Sequence, residues 1–292
     1  MQNNFDKKYQ EYLGYFNAQL DIALKSFSGV PEVLNEAMCY AVQGGGKRVR
    51  PVLCIATADM LGIDWSCVKE FAVAIEFIHS YSLVHDDLPA MDNDDYRRGK
   101  LSTHKKFGEA YGILAGDALL NHAFEYCLNK SNFSLLDAKA LKILAEYSGS
   151  SGMIAGQVLD LQNEKNGQGN EKTLYEIYIN KTAKLLTAPI LIASRLANDK
   201  YYEQLKSFGE NLGVMFQITD DIMDEEGTVD SIGKTPNKDQ AVDKLTSIKI
   251  FGKQGALDRK KYHFDKCISL LDEIEKSDFL RDFTVKMYER KS

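Results

Sequence analysis

The sequence predicts an all-α helical bundle, and three observations carry that expectation. Only five prolines (Pro31, Pro51, Pro89, Pro189 and Pro236) interrupt the chain. The long intervals between them are rich in Ala, Leu, Lys and Glu, residues that a helix accepts at little cost. Runs of alternating β-branched and polar residues, the mark of a half-buried strand, are absent. Of 292 residues, 44% are apolar and 27% charged, the balance of an ordinary soluble globular protein. The net charge of −6 argues against a general nucleic-acid binder. The five cysteines are scattered and form no C-x-x-C pair. That favours reduced thiols in a cytoplasmic protein over a disulfide frame or a zinc site. The opening MQNNFDKKYQEYL lacks the apolar core of a secretory signal. No segment is apolar over the ~18 residues that a membrane span requires.

Taken in order, residues 6–27 place Tyr9, Leu13, Phe16, Leu20 and Ile22 near helical spacing, which predicts an amphipathic helix. Pro31 suits the first turn of a second helix running through Val42. Gly44, Gly45 and Gly46 then break the chain, Lys47, Arg48 and Arg50 follow, and Pro51 opens the next helix. Three glycines let backbone N–H groups approach an anion, a pattern shared by phosphate loops and plain connectors. Residues 66–87 predict a helix burying Val68, Phe71, Ala72, Ile75, Ile78 and Val84. On its wheel His79, Ser82 and Asp86 share one sector. His79 there is either a structural hydrogen-bonder or part of a site.

Residues 107–129 and 134–162 read as two long helices, the second carrying Gly156, Gln157 and Asp160. A polar loop at 164–172 leads to a helix at 173–197 that holds Lys181, Thr182 and Lys184 among apolar neighbours. Such a lysine commonly snorkels to water. Helices near 239–253, 256–274 and 277–290 complete the chain, which ends in the basic YERKS.

Two charged segments stand out. From His79 to Phe107, Asp86, Asp87, Asp92, Asp94 and Asp95 are followed at once by Arg97, Arg98, Lys100, Lys105 and Lys106. A solvated helix face would mix its signs at three- and four-residue spacing rather than block them. Acid followed by base after an apolar helix suits a ligand that is both metal-bound and strongly anionic, such as a polyphosphate chelated by divalent cations. The six-residue step from Asp86 to Asp92 spans Pro89, so the helix is expected to bulge or kink there if the two are to share ions. The second segment, FQITDDIMDEEG, places Asp220 and Asp224 four apart on one face, where like charges repel. Behind the apolar run LGVMFQI, that arrangement calls for a counter-cation. If the two segments face each other, residues 1–292 form one domain, because the site needs both halves.

Together these residues resemble the trans-polyprenyl diphosphate synthases, specifically their bacterial farnesyl type. GGKRVRP (45–51), DDLPAMDNDDYRRGK (86–100), HKKFGEA (104–110), GQVLDL (156–161), KT (181–182), FQITDD-x-x-D (216–224) and GK (233–234) occur in the family's order. The resemblance implies an all-α bundle around a deep central cavity, usually as a homodimer. It implies that Asp86, Asp87 and Asp92, with Asp220 and Asp224, hold Mg²⁺, three ions in all, on the diphosphate of an allylic substrate. Oxygen ligands shared between carboxylates and phosphates suit that metal. Arg97, Lys181, Lys234 and Lys244 would contact the same diphosphate. Lys47, Arg50, His79 and Arg98 would hold isopentenyl diphosphate in a metal-free basic pocket, where arginine's planar fork matches phosphate oxygens.

The implied reaction is ionisation, condensation and elimination. Carbonyls near Lys181 and Thr182, with the Gln217 amide, would stabilise an allylic cation. The family assigns the cavity floor to the fourth and fifth residues before the first acidic motif, here Ser82 and Tyr81. An aromatic residue such as Tyr81 resembles the makers of C15 farnesyl diphosphate, whereas a small residue there implies C20 geranylgeranyl diphosphate. Ser102 stands where the family usually has proline, Ala155 where it usually has glycine, and Thr228 where an acid is frequent. Two other readings share parts of the pattern. A terpene cyclase would not need the GGKRVR loop, and a non-catalytic subunit of a heteromeric synthase would be expected to lack one acidic motif.

Overall fold

A computed structural model of the chain describes residues 4–27, 29–166, 169–226 and 244–290. Helices α1 (Asn4–Leu24), α2 (Glu32–Val42), α3 (Val49–Leu61) and α4 (Lys69–Asp86) lead into a short antiparallel pair, β1 (Tyr96–Arg97) and β2 (Lys100–Leu101). Then come α5 (Thr103–Phe107), α6 (Glu109–Leu128), α7 (Leu135–Ser148), α8 (Met153–Asn166) and α9 (Glu171–Ile177). A π-helical turn, Tyr178–Ala183, joins α9 to α10 (Lys184–Leu196), and α11 (Tyr202–Glu226), α12 (Ser247–Asp272) and α13 (Asp278–Tyr288) follow. The fold is all-α as the composition requires. The hairpin is the exception that helix-breaking residues in the charged segment impose.

Helices α3, α4 and α10 form the centre. They are buried nearly all round, from Pro51 to Ala58, Phe71 to Ile78 and Leu185 to Ser194, as apolar faces on every side demand. They pack on one another, and α1, α2, α6, α7 and α11 surround them. Each fully buried Phe, Leu or Ile contributes about 1.5–3 kcal/mol of transfer free energy. The core therefore fixes the framework on which the charged segments are mounted.

Several helix boundaries differ from the sequence reading, each for a local reason. The span 134–162 is two helices, because Ser148–Gly152 (SGSSG) strings together poor helix formers, with Gly149 extended at φ −83°, ψ −159°. At its start Ser134 accepts the Asp137 N–H at 3.2 Å while Asp137 accepts the Ser134 N–H at 2.8 Å, a reciprocal cap. The span 107–129 is interrupted at Gly108, whose φ of 96° ends α5 and begins α6. The helix expected at 173–197 widens into the π-turn. Of the expected helix 239–253, residues up to 243 lie outside the described ones. From Ser247 the next helix runs to Asp272, broken at Gly252 (φ 69°, ψ 167°) rather than at residues 254–255.

Candidate active site

The first acidic segment is shaped by where α4 stops. Asp86 is its last residue, and the chain then folds back so that the Asp92 N–H donates to the Asp86 carbonyl at 2.8 Å. The Met91 and Asn93 N–H groups both turn to the Leu88 carbonyl, at 2.9 and 3.0 Å. The six-residue spacing is thus accommodated by ending the helix, not by the bulge or kink expected at Pro89. A proline whose N–H would be needed in a continuing helix is harmless in such a turn. Gln157 Nε2 on α8 donates to Asp86 Oδ1 at 2.9 Å. Burial pushes the Asp86 carboxyl up to about 6 against the opposing pull of Lys181, and Asp92 and Asp87 add to the rise. A carboxylate whose charge is disfavoured in this way is suited to a cation. Asp87, one residue on, is buried, and Arg97 Nε donates to its Oδ1 at 2.9 Å.

The arginines are aimed by the hairpin. Arg98 (φ 54°) and Gly99 (φ 75°) form a two-residue turn with left-handed backbone at both positions, which suits the twist of paired strands. Arg97 on β1 turns to Asp87 and Asp94, whereas Arg98 donates to the carbonyl of Gly45 in the glycine loop. Gly46, at φ 121°, is required at that point. A Cβ there would lie 2.6 Å from the Arg98 guanidinium. The glycines therefore make room for an arginine, as well as leaving backbone exposed.

Sequence reasoning missed Arg48. It sits at φ 49° just before α3 and turns inward, pairing with Glu76 on α4 and donating to the Val42 carbonyl at 2.6 Å. Its partner is 28 residues away, and neither residue is marked in the sequence as buried. Arg50 is half-buried, and its Nε is buried without a hydrogen-bond partner among the described residues. Its pKa is lowered to about 10, chiefly by burial and also by Arg98, while Glu76 and Asp220 oppose the shift. His79 is held neutral by burial and by the charges of Arg50, Arg98, Arg48 and Arg97. Lys47 is exposed, and its carbonyl accepts the Tyr9 hydroxyl. An orphaned guanidinium N–H, a neutral imidazole and clustered arginines suit a diphosphate.

The π-turn carries Lys181 and Thr182. Lys181 does not snorkel: its Nζ is 2.6 Å from Asp160 on α8, and that aspartate is 3% exposed. Gly156 allows the approach, because a Cβ there would collide with the Lys181 backbone. Thr182 Oγ1 donates to Gln217 Oε1 at 2.7 Å, tying the π-turn to α11. A π-turn shifts the ladder by one residue and frees a carbonyl from in-helix bonding.

On α11, Asp220 Oδ1 lies 2.9 Å from Arg290 Nη1. Asp224 is exposed. Asp221 between them is structural: it accepts from the Tyr178 hydroxyl and, at 2.6 Å, from the Ser247 N–H. Lys244 precedes α12, and Lys234 lies outside the described residues.

Two links bring the halves together: the field of Asp220 reaches Arg50, and that of Lys181 reaches Asp86. Glu164 on α8 is a third, unanticipated point. Burial and Asp160 raise its carboxyl, and Lys181, Lys244 and Asp92 all act on it. Among the described residues no three His, Cys, Asp or Glu side chains gather to hold one ion. Magnesium in such sites draws much of its shell from water and substrate phosphate.

The two residues expected at the cavity floor part company. Ser82 is half-buried and donates to the His79 carbonyl at 2.9 Å. Tyr81 is buried on the side of α4 turned to α6, edge-on to His85 at 5.7 Å, and His85 Nε2 is 3.0 Å from the Ile113 carbonyl. Among the described residues its hydroxyl has no hydrogen-bond partner, and burial together with the Asp86 charge pushes it up to about 12.

An all-α core that brings two aspartate-rich helix ends to a cluster of arginines defines an isoprenoid-synthase-like protein. The polyprenyl synthetase family model matches residues 31–281, and the chain belongs to that family. Within it the chain is a short-chain trans-prenyltransferase, whose substrates are isopentenyl diphosphate and an allylic diphosphate. It is 46% identical over 246 residues to the farnesyl diphosphate synthase of Micrococcus luteus, covering 83% of each chain. It is 42% identical to geranylgeranyl pyrophosphate synthase 7 of Arabidopsis thaliana, covering 82% of this chain and 69% of that one. The crystal structure of a geranyltransferase from Legionella pneumophila superimposes with a TM-score of 0.87 at 30% identity, over 98% of this chain and 97% of the other. Among the described residues no helix is long and apolar enough to cross a membrane.

Proposed function

We propose that the enzyme condenses isopentenyl diphosphate with dimethylallyl or geranyl diphosphate and stops at the C15 product, (2E,6E)-farnesyl diphosphate. The observation that carries the C15 reading is Tyr81, a buried aromatic side chain five residues before Asp86. That offset is about 7.5 Å along an α-helix, deep enough to block a growing chain and not its diphosphate. The farnesyl diphosphate synthase relative supports the same length, and the geranylgeranyl relatives define the alternative.

Asp86, Asp87, Asp92, Asp220 and Asp224 would hold Mg²⁺, three ions with the allylic diphosphate, and Asp87 would also keep Arg97 facing it. The carboxylates fit that metal: they are hard oxygen donors, and Asp86 is penalised for its charge without a cation. When bound, Mg²⁺ supplies Lewis-acid stabilisation of the departing diphosphate. Arg97, Lys181, Lys234 and Lys244 bind the same group by charge. Lys47, Arg50, Arg98 and neutral His79 hold isopentenyl diphosphate, His79 through a ring N–H. The allylic cation is met by the carbonyls around Lys181 and Thr182 and by the Gln217 side chain, which Thr182 orients. The isopentenyl double bond attacks it, and a proton leaves to the released diphosphate, so no protein nucleophile is needed.

The site draws on residues from Lys47 to Lys244, which supports reading 1–292 as one domain, and the free, scattered cysteines support a cytoplasmic enzyme. The exposed Tyr111, Ile113 and Leu114 on α6 support a homodimer through that helix. Leu114→Asp is expected to move the sedimenting species from twice the chain mass to once. A dimer that survives the change would place the interface elsewhere.

Product sizing tests the chain length. With labelled isopentenyl diphosphate and geranyl diphosphate, the wild type should yield C15 alone, and Tyr81→Ala should shift most product to C20 or longer. C20 from the wild type would overturn the proposal, as would an unchanged length in the variant. Product formed without consuming isopentenyl diphosphate would indicate a cyclase.

A further inference from the structure

Arg290 stands in the basic end of the chain, outside the segments so far assigned to the site, and it lies on a site aspartate. It follows α13, which packs against α12, α11, α1 and α3 and so anchors its end beside the second acidic segment. Its Nη1 is 2.9 Å from Asp220 Oδ1, and its guanidinium centre stands 5.2 Å from the Phe216 ring. Phe216 and Asp220 are four apart on α11, so the guanidinium bridges two neighbours on one helix face. Both side chains of the pair are largely covered, at 22% and 29% exposure.

We propose that Arg290 is a built-in counter-ion that competes with the first divalent cation for Asp220 and so sets the metal affinity of the second acidic segment. This rests on Asp220 being a metal ligand. A guanidinium on a carboxylate oxygen occupies the lone pairs that a hard cation needs. Metal must displace it, and the apparent affinity falls by the strength of the pair. Displacement also releases a positive charge beside the acids. Arg290 is thus tied to metal loading by position and charge, without touching the reacting atoms.

The test is Mn²⁺ binding to the full chain without substrate, followed by loss of the free-ion electron paramagnetic resonance signal. Arg290→Gln should tighten binding about two- to fivefold, the range that a partly exposed ion pair supports. Arg290→Lys keeps the charge and should stay within about twofold of wild type. Unchanged or weaker binding in Arg290→Gln overturns the proposal, as does equal tightening in both variants. Asp220→Ala should bind Mn²⁺ more weakly than wild type. If it does not, the assignment of Asp220 as a ligand fails, and the proposal with it.

Discussion

Replacing Asp86 with alanine should lower turnover by about three orders of magnitude, equivalent to ~4 kcal/mol of transition-state stabilisation. The fold should persist. Asp86 is the last residue of α4, its backbone carbonyl still accepts the Asp92 N–H, and its charge is unfavourable where it is buried. Among the described residues the side-chain partner lost is Gln157, whose amide would cost about 1 kcal/mol if left unpaired. Asp86→Asn separates charge from hydrogen bonding: its amide oxygen can still accept from Gln157, yet turnover should fall as far. Steady-state kinetics with circular dichroism read both. Activity within tenfold of wild type in either variant would mean that the acidic segment does not hold the metal.

The second large effect is on stability. Glu76→Ala should destabilise the protein by about 3–5 kcal/mol, because it strands the Arg48 guanidinium in a place water barely reaches. The two side chains are 8% and 3% exposed. For a chain of this size that loss lowers the melting temperature by roughly 10 °C. Removing both charges, as in Arg48→Met with Glu76→Leu, should recover most of it, since desolvation of the pair offsets much of its attraction. A melting temperature within 2 °C of wild type for Glu76→Ala would show that the pair is not buried in solution. The double variant should still bind isopentenyl diphosphate poorly, because it loses the bond from the Arg48 side chain to the Val42 carbonyl that ties down the loop presenting Lys47 and Arg50.

Much of the site could be read from the chain because its chemistry is written in local blocks of charge. Acid and base run together at 86–106, and Asp220 and Asp224 share a helix face. Lys181 was harder to read. Its contact with Asp160 depends on α8 approaching the π-turn across Gly156, and nothing local distinguishes that lysine from one that reaches water. Arg48 looked like its basic neighbours until the fold supplied Glu76. Glu164 sits in an unremarkable polar stretch and Arg290 in the basic end of the chain, and only the packing of α8 and α13 brings them to the acids.

Local composition by itself therefore determined the all-α class, the two acidic centres and the basic loop, because helix propensity and blocked charge depend on near neighbours along the chain. Tertiary structure decided which arginine is buried and which is presented, which aspartate is structural, how the Asp86 helix ends and where Tyr81 lies. Those outcomes depend on desolvation and on approaches between segments tens of residues apart, and a one-dimensional pattern carries neither.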